Sequence, residues 1–444
     1  MGTLALLAGL GAPHLAAQSW ALPASDPVGI ARSGAGVAFG NSLEAAALNP
    51  ALLATLRDAH SAYLALGMEM ESAQATLQSN SIVQYSEDRS RSLPALGVAM
   101  RLSPTLVLGG KLDEPFLRHA QMPTSYAGRF QGQAIDLKTH RLEAQLGWAY
   151  TPNWAFGASL GLTRIQYAWD NMVRTVVTTS GSTPGLMESD LHQSASKLAP
   201  SYSLGFRWAP NSRWTVGGTY VGAISANLAL GASYGSLPAS FYALSGYGAA
   251  PAGSAASGAT QRAGTTLSAG HGRITLPGKL TVGVRQRVNQ SFTWEADLRY
   301  VLGSQTELPG YPSATPAGAS TATGSGESTA FRSGLGLNLM AELTLSKRWT
   351  VRLGASMDPA LRSDGNVDPV LGGAKSSGLS GGFGYRMFGG ELNFGYQYRQ
   401  SQDTDVPNLE GVWKNSNTGY STTSTSTRVE GMGHLWSLGF KRAF

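Results

Sequence analysis

Six charged residues stand at alternate positions in two adjoining segments. Lys279, Arg285 and Arg287 lie in the first, and Glu295, Asp297 and Arg299 in the second. Residues two apart along an extended chain share one face. The spacing therefore places all six on one side of a predicted hairpin. Two kinds of chemistry follow. The charges can pair across the strands as a ladder of salt bridges. Alternatively, one cation is left over to hold the carboxylate of a ligand, which a guanidinium matches in shape as well as charge. Lys279, Arg285 and Arg287, with Arg207 and Arg352 on similar segments, are the candidates, and both readings stay open. Two other patterns carry no chemistry. Gly378-Leu-Ser380-Gly-Gly382 fits the G-x-S-x-G nucleophile elbow but lacks the strand-turn-helix setting that chemistry needs. The seven His are dispersed, with no paired spacing for a metal. No cofactor is expected, and no catalytic or metal-binding residue is assigned.

The segments that carry these charges alternate strictly. Phe292, Trp294, Ala296, Leu298, Tyr300 and Leu302 form one face; Thr293, Glu295, Asp297, Arg299 and Val301 form the other. The same pattern recurs through Leu335–Leu345, Trp349–Met357, Tyr202–Trp208, Leu392–Arg399 and Arg141–Tyr150. Most of these runs are of the length a tilted strand needs to cross a bilayer's hydrocarbon layer, about ten residues, with Trp and Tyr often at their ends. Only 14% of the 444 residues are charged and 56 are Gly. After the first twenty residues no apolar run is long enough for a membrane helix. The expected fold is all-β: an antiparallel transmembrane β-barrel.

Tight turns punctuate the pattern at Ser103-Pro104, Pro152-Asn153, Pro210-Asn211-Ser212, Asn289-Gln290, Ser346-Lys347 and Gly389-Gly390. Long polar connections fall between them at about 71–92, 114–139, 169–196, 226–272, 303–329, 360–375 and 401–430. Six short turns alternating with seven long loops make about 14 strands, with both ends of the barrel on the short-turn side. The last strand reads Trp436, Leu438, Phe440, Arg442, Phe444, and an aromatic closing such a strand resembles an outer-membrane assembly signal.

Three parts are predicted: a signal peptide over 1–21, an N-terminal hatch over 22–60, and the barrel over 61–444. Thr3 to Leu15 is short, apolar and small-residue-rich, with cleavage plausible after Ala17 or Ala21; it has no preceding Lys or Arg, so a start upstream is expected. Residues 22–60 lack the period of two, and Pro50 breaks any helix through Leu43–Leu56. The absence of Cys excludes disulfides and suits passage through an oxidising periplasm. The net charge of +6 comes from scattered Lys and Arg without a dense basic run, which argues against nucleic acid.

The stretch Gly29-Ile-Ala-Arg-Ser-Gly-Ala-Gly-Val-Ala-Phe-Gly40, followed by Ala46-Ala-Leu-Asn-Pro-Ala51, resembles the N-terminal hatch of the FadL family of long-chain fatty acid and hydrocarbon transporters, with its Asn-Pro-Ala motif. Leu198–Tyr220 resembles that family's central hairpin, and Leu276–Val284 and Lys347–Gly354 resemble two later strands. The 226–272 segment departs from the family in its wealth of Ala, Gly and Ser. The resemblance implies a barrel of the outer membrane, plugged by a hatch, that captures apolar ligands on external loops and transfers them to a site near the hatch. It implies release by hatch movement and by a kink in the third strand that opens the wall sideways. The gate residues would be Asn49, Pro50 and Ala51, with Gly109, Gly110 and Pro115 marking the kink, since Gly and Pro weaken a strand ladder. Leu228, Leu230, Leu237, Phe241, Tyr242 and Leu244 would form the capture groove. Expected partners are fatty acids or hydrocarbons, outer-membrane lipid and lipopolysaccharide, and the barrel assembly machinery, with the chain a monomer. A second reading is a FadL-like barrel serving as a structural adaptor in secretion or surface assembly. An open porin fits the plug-like N-terminal segment poorly, and an enzyme fits least.

Overall fold

The computed structural model describes residues 21–444 apart from 41, 78–81, 88, 125, 127–131, 178–184, 230, 235–265, 268–270, 308–327, 363–369, 371 and 416–418. The segment 1–20, which holds nearly all of the predicted signal peptide, lies outside the described residues. Among the described residues, fourteen antiparallel strands make the wall. They are β1 (His60–Leu77), β2 (Arg89–Arg101), β3 (Leu106–Asp113, resuming as Leu117–Gln121), β4 (Ala134–Ala149), β5 (Trp154–Val177), β6 (Gly185–Trp208) and β7 (Trp214–Val221), then β8 (Lys279–Arg287), β9 (Phe292–Val301), β10 (Gly334–Thr344), β11 (Trp349–Asp358), β12 (Ser376–Met387), β13 (Gly390–Ser401) and β14 (Gly419–Ala443). Each pairs with its neighbour, and β14 pairs with β1 from Ser61↔Ala443 to Leu77↔Thr427. That register closes the sheet, pairing backbone groups that lipid cannot satisfy.

The alternation read in the sequence is inside-out. Leu64, Leu142, Leu160 and Leu379 are more than 60% exposed on the outer face, whereas Glu143, Thr163, Asp297, Gln397 and Ser437 are buried. That distribution is costly in water and favourable in lipid. All six predicted short turns join consecutive strands. Aromatic residues gather just above them: Trp154 stacks on Trp208 with centroids 5.6 Å apart, Trp214 meets Trp294 at 6.1 Å, and Trp349 meets Tyr385 at 4.6 Å. This is an interfacial belt on the short-turn side.

The opposite end differs from the expected plain loops. β5 and β6 continue as one long hairpin. Beyond β7 to β10 the chain breaks at 222–223, 277–278, 302–303 and 332–333. It then resumes as a second, four-stranded sheet of Ile224–Ala229, His271–Leu276, Ser304–Glu307 and Ser328–Phe331. Ile224, Leu228, Ile274, Leu276 and Phe331 from this sheet pack with Ile135, Leu137, Ile165 and Tyr167 of β4 and β5, and with Leu361, Val370 and Ala374 between β11 and β12. An apolar cluster thus lies toward the outer end of the barrel.

Residues 21–56 fill the other end. Helix α1 (Pro27–Ala31) starts at Asp26, whose carboxylate accepts the Gly29 N–H at 2.8 Å, with Pro27 preset for the first turn. Helix α2 (Leu43–Leu48) starts at Ser42, and a 3-10 turn over Pro50–Thr55 starts at Asn49, which accepts the Ala51 N–H at 3.1 Å. Both helices are too short to stand alone. The wall holds them.

Candidate functional site

Asn49 shows how the wall and the N-terminal segment are fitted together. Its side-chain amide donates to Val37 O at 2.7 Å and to Phe206 O on β6 at 3.0 Å, tying the segment to itself and to the wall. Three wall glycines make room. A Cβ on Gly205 would lie 2.0 Å from the Asn49 amide oxygen, one on Gly157 would lie 2.3 Å from Ala51 N, and one on Gly147 would meet Leu53 and Ala54 N at 2.7 Å. The Asn-Pro-Ala motif therefore sits where segment and barrel approach closely, as Val37 does at Gly217 and Pro27 at Gly395.

A second anchor was not foreseen. Asp297 accepts the Gly36 N–H at 2.9 Å and the Val37 N–H at 3.3 Å, and Glu295 accepts the Ala38 N–H at 2.6 Å. The expected salt-bridge ladder along β8 and β9 is therefore absent for these two acids. Register sets Arg285 opposite Glu295, yet Arg285 stacks on Phe39 at 4.3 Å, with Arg32 on the same ring at 3.8 Å. Arg299 reaches instead to Asp358 on β11.

Arg352 is not available to a ligand. It donates to Glu342 at 2.8 Å, Glu391 at 3.0 Å and Asn393 at 2.7 Å, and Glu342 also takes Arg32 at 2.6 Å. Arg352 thus ties β10, β11 and β13 together, and Arg32 at the end of α1 joins it on Glu342, which corrects its place among the carboxylate candidates. Arg287 is exposed at the short-turn end. Arg207 is half-buried with its Nε unpartnered. Lys279 has no ion-pair partner among the described residues and lies between two small cavities. The lower, about 40 Å³, is lined by Asp26, Tyr63, Lys111, Asp113, Glu114, Arg141 and Lys279. The upper, about 30 Å³, is lined by Pro115, Phe116, Pro277, Lys279, Val301 and Leu361. Each has room for about one or two waters, not for a hydrocarbon.

The third strand is broken, at Glu114–Phe116. Gly109 and Gly110, expected at the kink, stay paired with both β2 and β4. Gly109 serves packing instead, since a Cβ there would lie 2.9 Å from Leu53. Pro115 sits in the break, as expected of a residue that cannot donate to a ladder. Beyond Leu96 the β2 strand loses its β3 partner, and β3 resumes paired only to β4. The N-terminal segment stops this gap. Leu22 N–H donates to Pro115 O at 3.0 Å, Ser25 Oγ donates to Glu114 O at 3.1 Å, and Ala21 bridges Phe116. Ion pairs span the rest: Arg91 with Asp136 at 2.5 Å, and Arg118 with Glu71.

Of the expected capture groove, Leu228 is buried in the outer apolar cluster; Leu230, Leu237, Phe241, Tyr242 and Leu244 lie outside the described residues. Sequence reasoning missed Phe116 and Leu361, and it placed Glu295 and Asp297 on the inner face without their role as anchors of residues 36–38. The first two look like ordinary apolar residues, and the pair's partners are backbone groups that no spacing encodes.

A closed barrel with an apolar outer face and a polar inner wall against which residues 21–56 pack defines a class, the β-barrel proteins of the bacterial outer membrane. The chain belongs to the family described as outer membrane protein transport protein (OMPP1/FadL/TodX), which matches residues 10–444. Its fold is similar to that of a Pseudomonas aeruginosa FadL homologue, with a TM-score of 0.74 at 16% identity over 96% of this chain and 100% of that one. It is also similar to the Ralstonia pickettii toluene transporter TbuX, with a TM-score of 0.63 at 14% identity over 95% and 99%. The Pseudomonas putida toluene transporter TodX gives 0.59 at 13% over 92% and 99%. No curated protein sequence matches the chain.

Proposed function

We propose that this barrel takes up long-chain fatty acids, and that they leave through the wall at the break in β3 when the N-terminal segment moves. The observation that carries this reading is the seating of Ala21–Ser25 on Glu114–Phe116, which makes the plug and the stopper of the wall gap one segment. The outer apolar cluster offers a first site for an acyl chain. Phe116 and Leu361 lead from it to Lys279, whose ammonium suits a carboxylate head. The toluene transporters of similar fold favour a second substrate class, monoaromatic hydrocarbons, for which a lysine has no use. The test is uptake of labelled oleate and labelled toluene by a transport-deficient bacterial host. Wild type should restore oleate uptake, Lys279→Gln should reduce it by about tenfold, and Asn49→Ala/Pro50→Ala should alter it. Toluene uptake without oleate uptake, from a folded barrel, would replace the substrate class.

A further inference from the structure

The +6 charge of the chain is not spread over the molecule. Arg213 lies on the β6–β7 turn, Arg287 at the β8–β9 turn, Lys347 and Arg348 on the β10–β11 turn, Arg386 at the β12–β13 turn and Arg442 at the end of β14; all six are exposed. None has an ion-pair partner among the described residues. Arg57, Arg101 and Lys441 stand at the same end, where the acids beside them are Asp58, Glu391 and Glu44, the last paired with Lys441 at 3.4 Å. Among the described residues, nine cations but three acids thus lie on the short-turn rim, against 22 cations and 20 acids elsewhere. The rim holds most of the excess.

Depth identifies what the rim meets. Arg213 precedes Trp214, Arg348 precedes Trp349, Arg386 follows Tyr385, and Arg442 lies 4.9 Å from the Phe444 ring centroid. Trp214, Trp349 and Tyr385 belong to the interfacial belt, so Arg213, Arg348 and Arg386 sit one step beyond it, at the level of lipid phosphates. Phe388, 83% exposed at the tip of the β12–β13 turn, suits the same layer better than water. The cations also follow the rim from β6 round to the β14–β1 seam. A docking protein would meet one side of the barrel; a lipid annulus meets it all round.

We propose that the short-turn rim is a binding belt for anionic phospholipid head groups of the periplasmic leaflet. The test uses the full chain in phosphatidylcholine bilayers, with spin-labelled phosphatidylglycerol or phosphatidylcholine as probe, reading the fraction of each held motionally restricted at the protein. Wild type should prefer phosphatidylglycerol by roughly fivefold, less in high salt. A combined Arg213→Gln, Lys347→Gln, Arg348→Gln, Arg386→Gln, Arg442→Gln variant should show no preference, while the same positions carrying Lys in place of Arg should keep it. Heat-modifiable gel migration checks that each barrel is folded. Equal association of both lipids with wild type, or a preference that survives in the Gln variant, overturns the proposal and leaves the rim to another partner, such as an acidic protein surface.

Discussion

Asp26 caps α1 from a fully buried position. Burial, and after it the neighbouring Glu44 charge, push its carboxyl up to about 7 from an ordinary 3.8. The sign follows. The neutral acid is favoured when the segment is docked, so docking is strongest at low pH and weakens as pH rises from the ordinary value through about 7. Hydrogen exchange over residues 27–31, corrected for intrinsic rates, should show protection falling from pH 5 to pH 8. Asp26→Asn keeps a cap acceptor and should flatten that slope; an unchanged slope would place the titration elsewhere. Arg352 yields a different expectation. Removing it leaves Glu342 and Glu391 buried with less compensation, a loss of about 3–5 kcal/mol. Arg352→Ala should lower the temperature at which the folded gel form disappears, and Lys279→Gln should not. These roles were only half legible in the sequence. Alternation named the inward charges, but Arg352 finds its acids on neighbouring strands and shares one with Arg32, 310 residues from Glu342. Short-range spacing cannot encode such pairs.

Elements were read better than residues. Six turns and the closing strand follow from turn residues and a period of two, both local signals. The break in β3 was seen only in part, because Gly109-Gly110 and Pro115 send the same message in sequence. The ladder separates them, since glycine can stay paired where its missing side chain is used for packing, whereas proline has no N–H to give. The second sheet was missed because its four short strands are interrupted at one level and look like loops. The close approach of the Asn-Pro-Ala turn to the wall is directly testable. Gly157→Val places side-chain atoms where Pro50 and Ala51 now lie. It should leave the barrel folded by gel migration while raising antibiotic leak into cells. An unchanged leak would show that the turn can shift at no functional cost.

At the scale of the molecule, two constructions with separate logic share one chain. Apart from the break in β3, the wall is closed by its own ladder and satisfies its own backbone. The N-terminal segment borrows its stability from the wall, through Asn49, Glu295, Asp297 and Glu342. Removing residues 22–56 should therefore leave a folded barrel with raised nonspecific permeability; failure to assemble would make the segment structural. On the proposed route, passage requires this segment to leave the break in β3. Ser25 and Glu114 touch there, and the chain has no Cys to interfere. The most direct measurement is oleate uptake by cells carrying Ser25→Cys/Glu114→Cys, before and after a reducing agent. Uptake should stay close to background while the disulfide holds and recover on reduction. Uptake at the wild-type rate with the disulfide verified intact would contradict the proposed route.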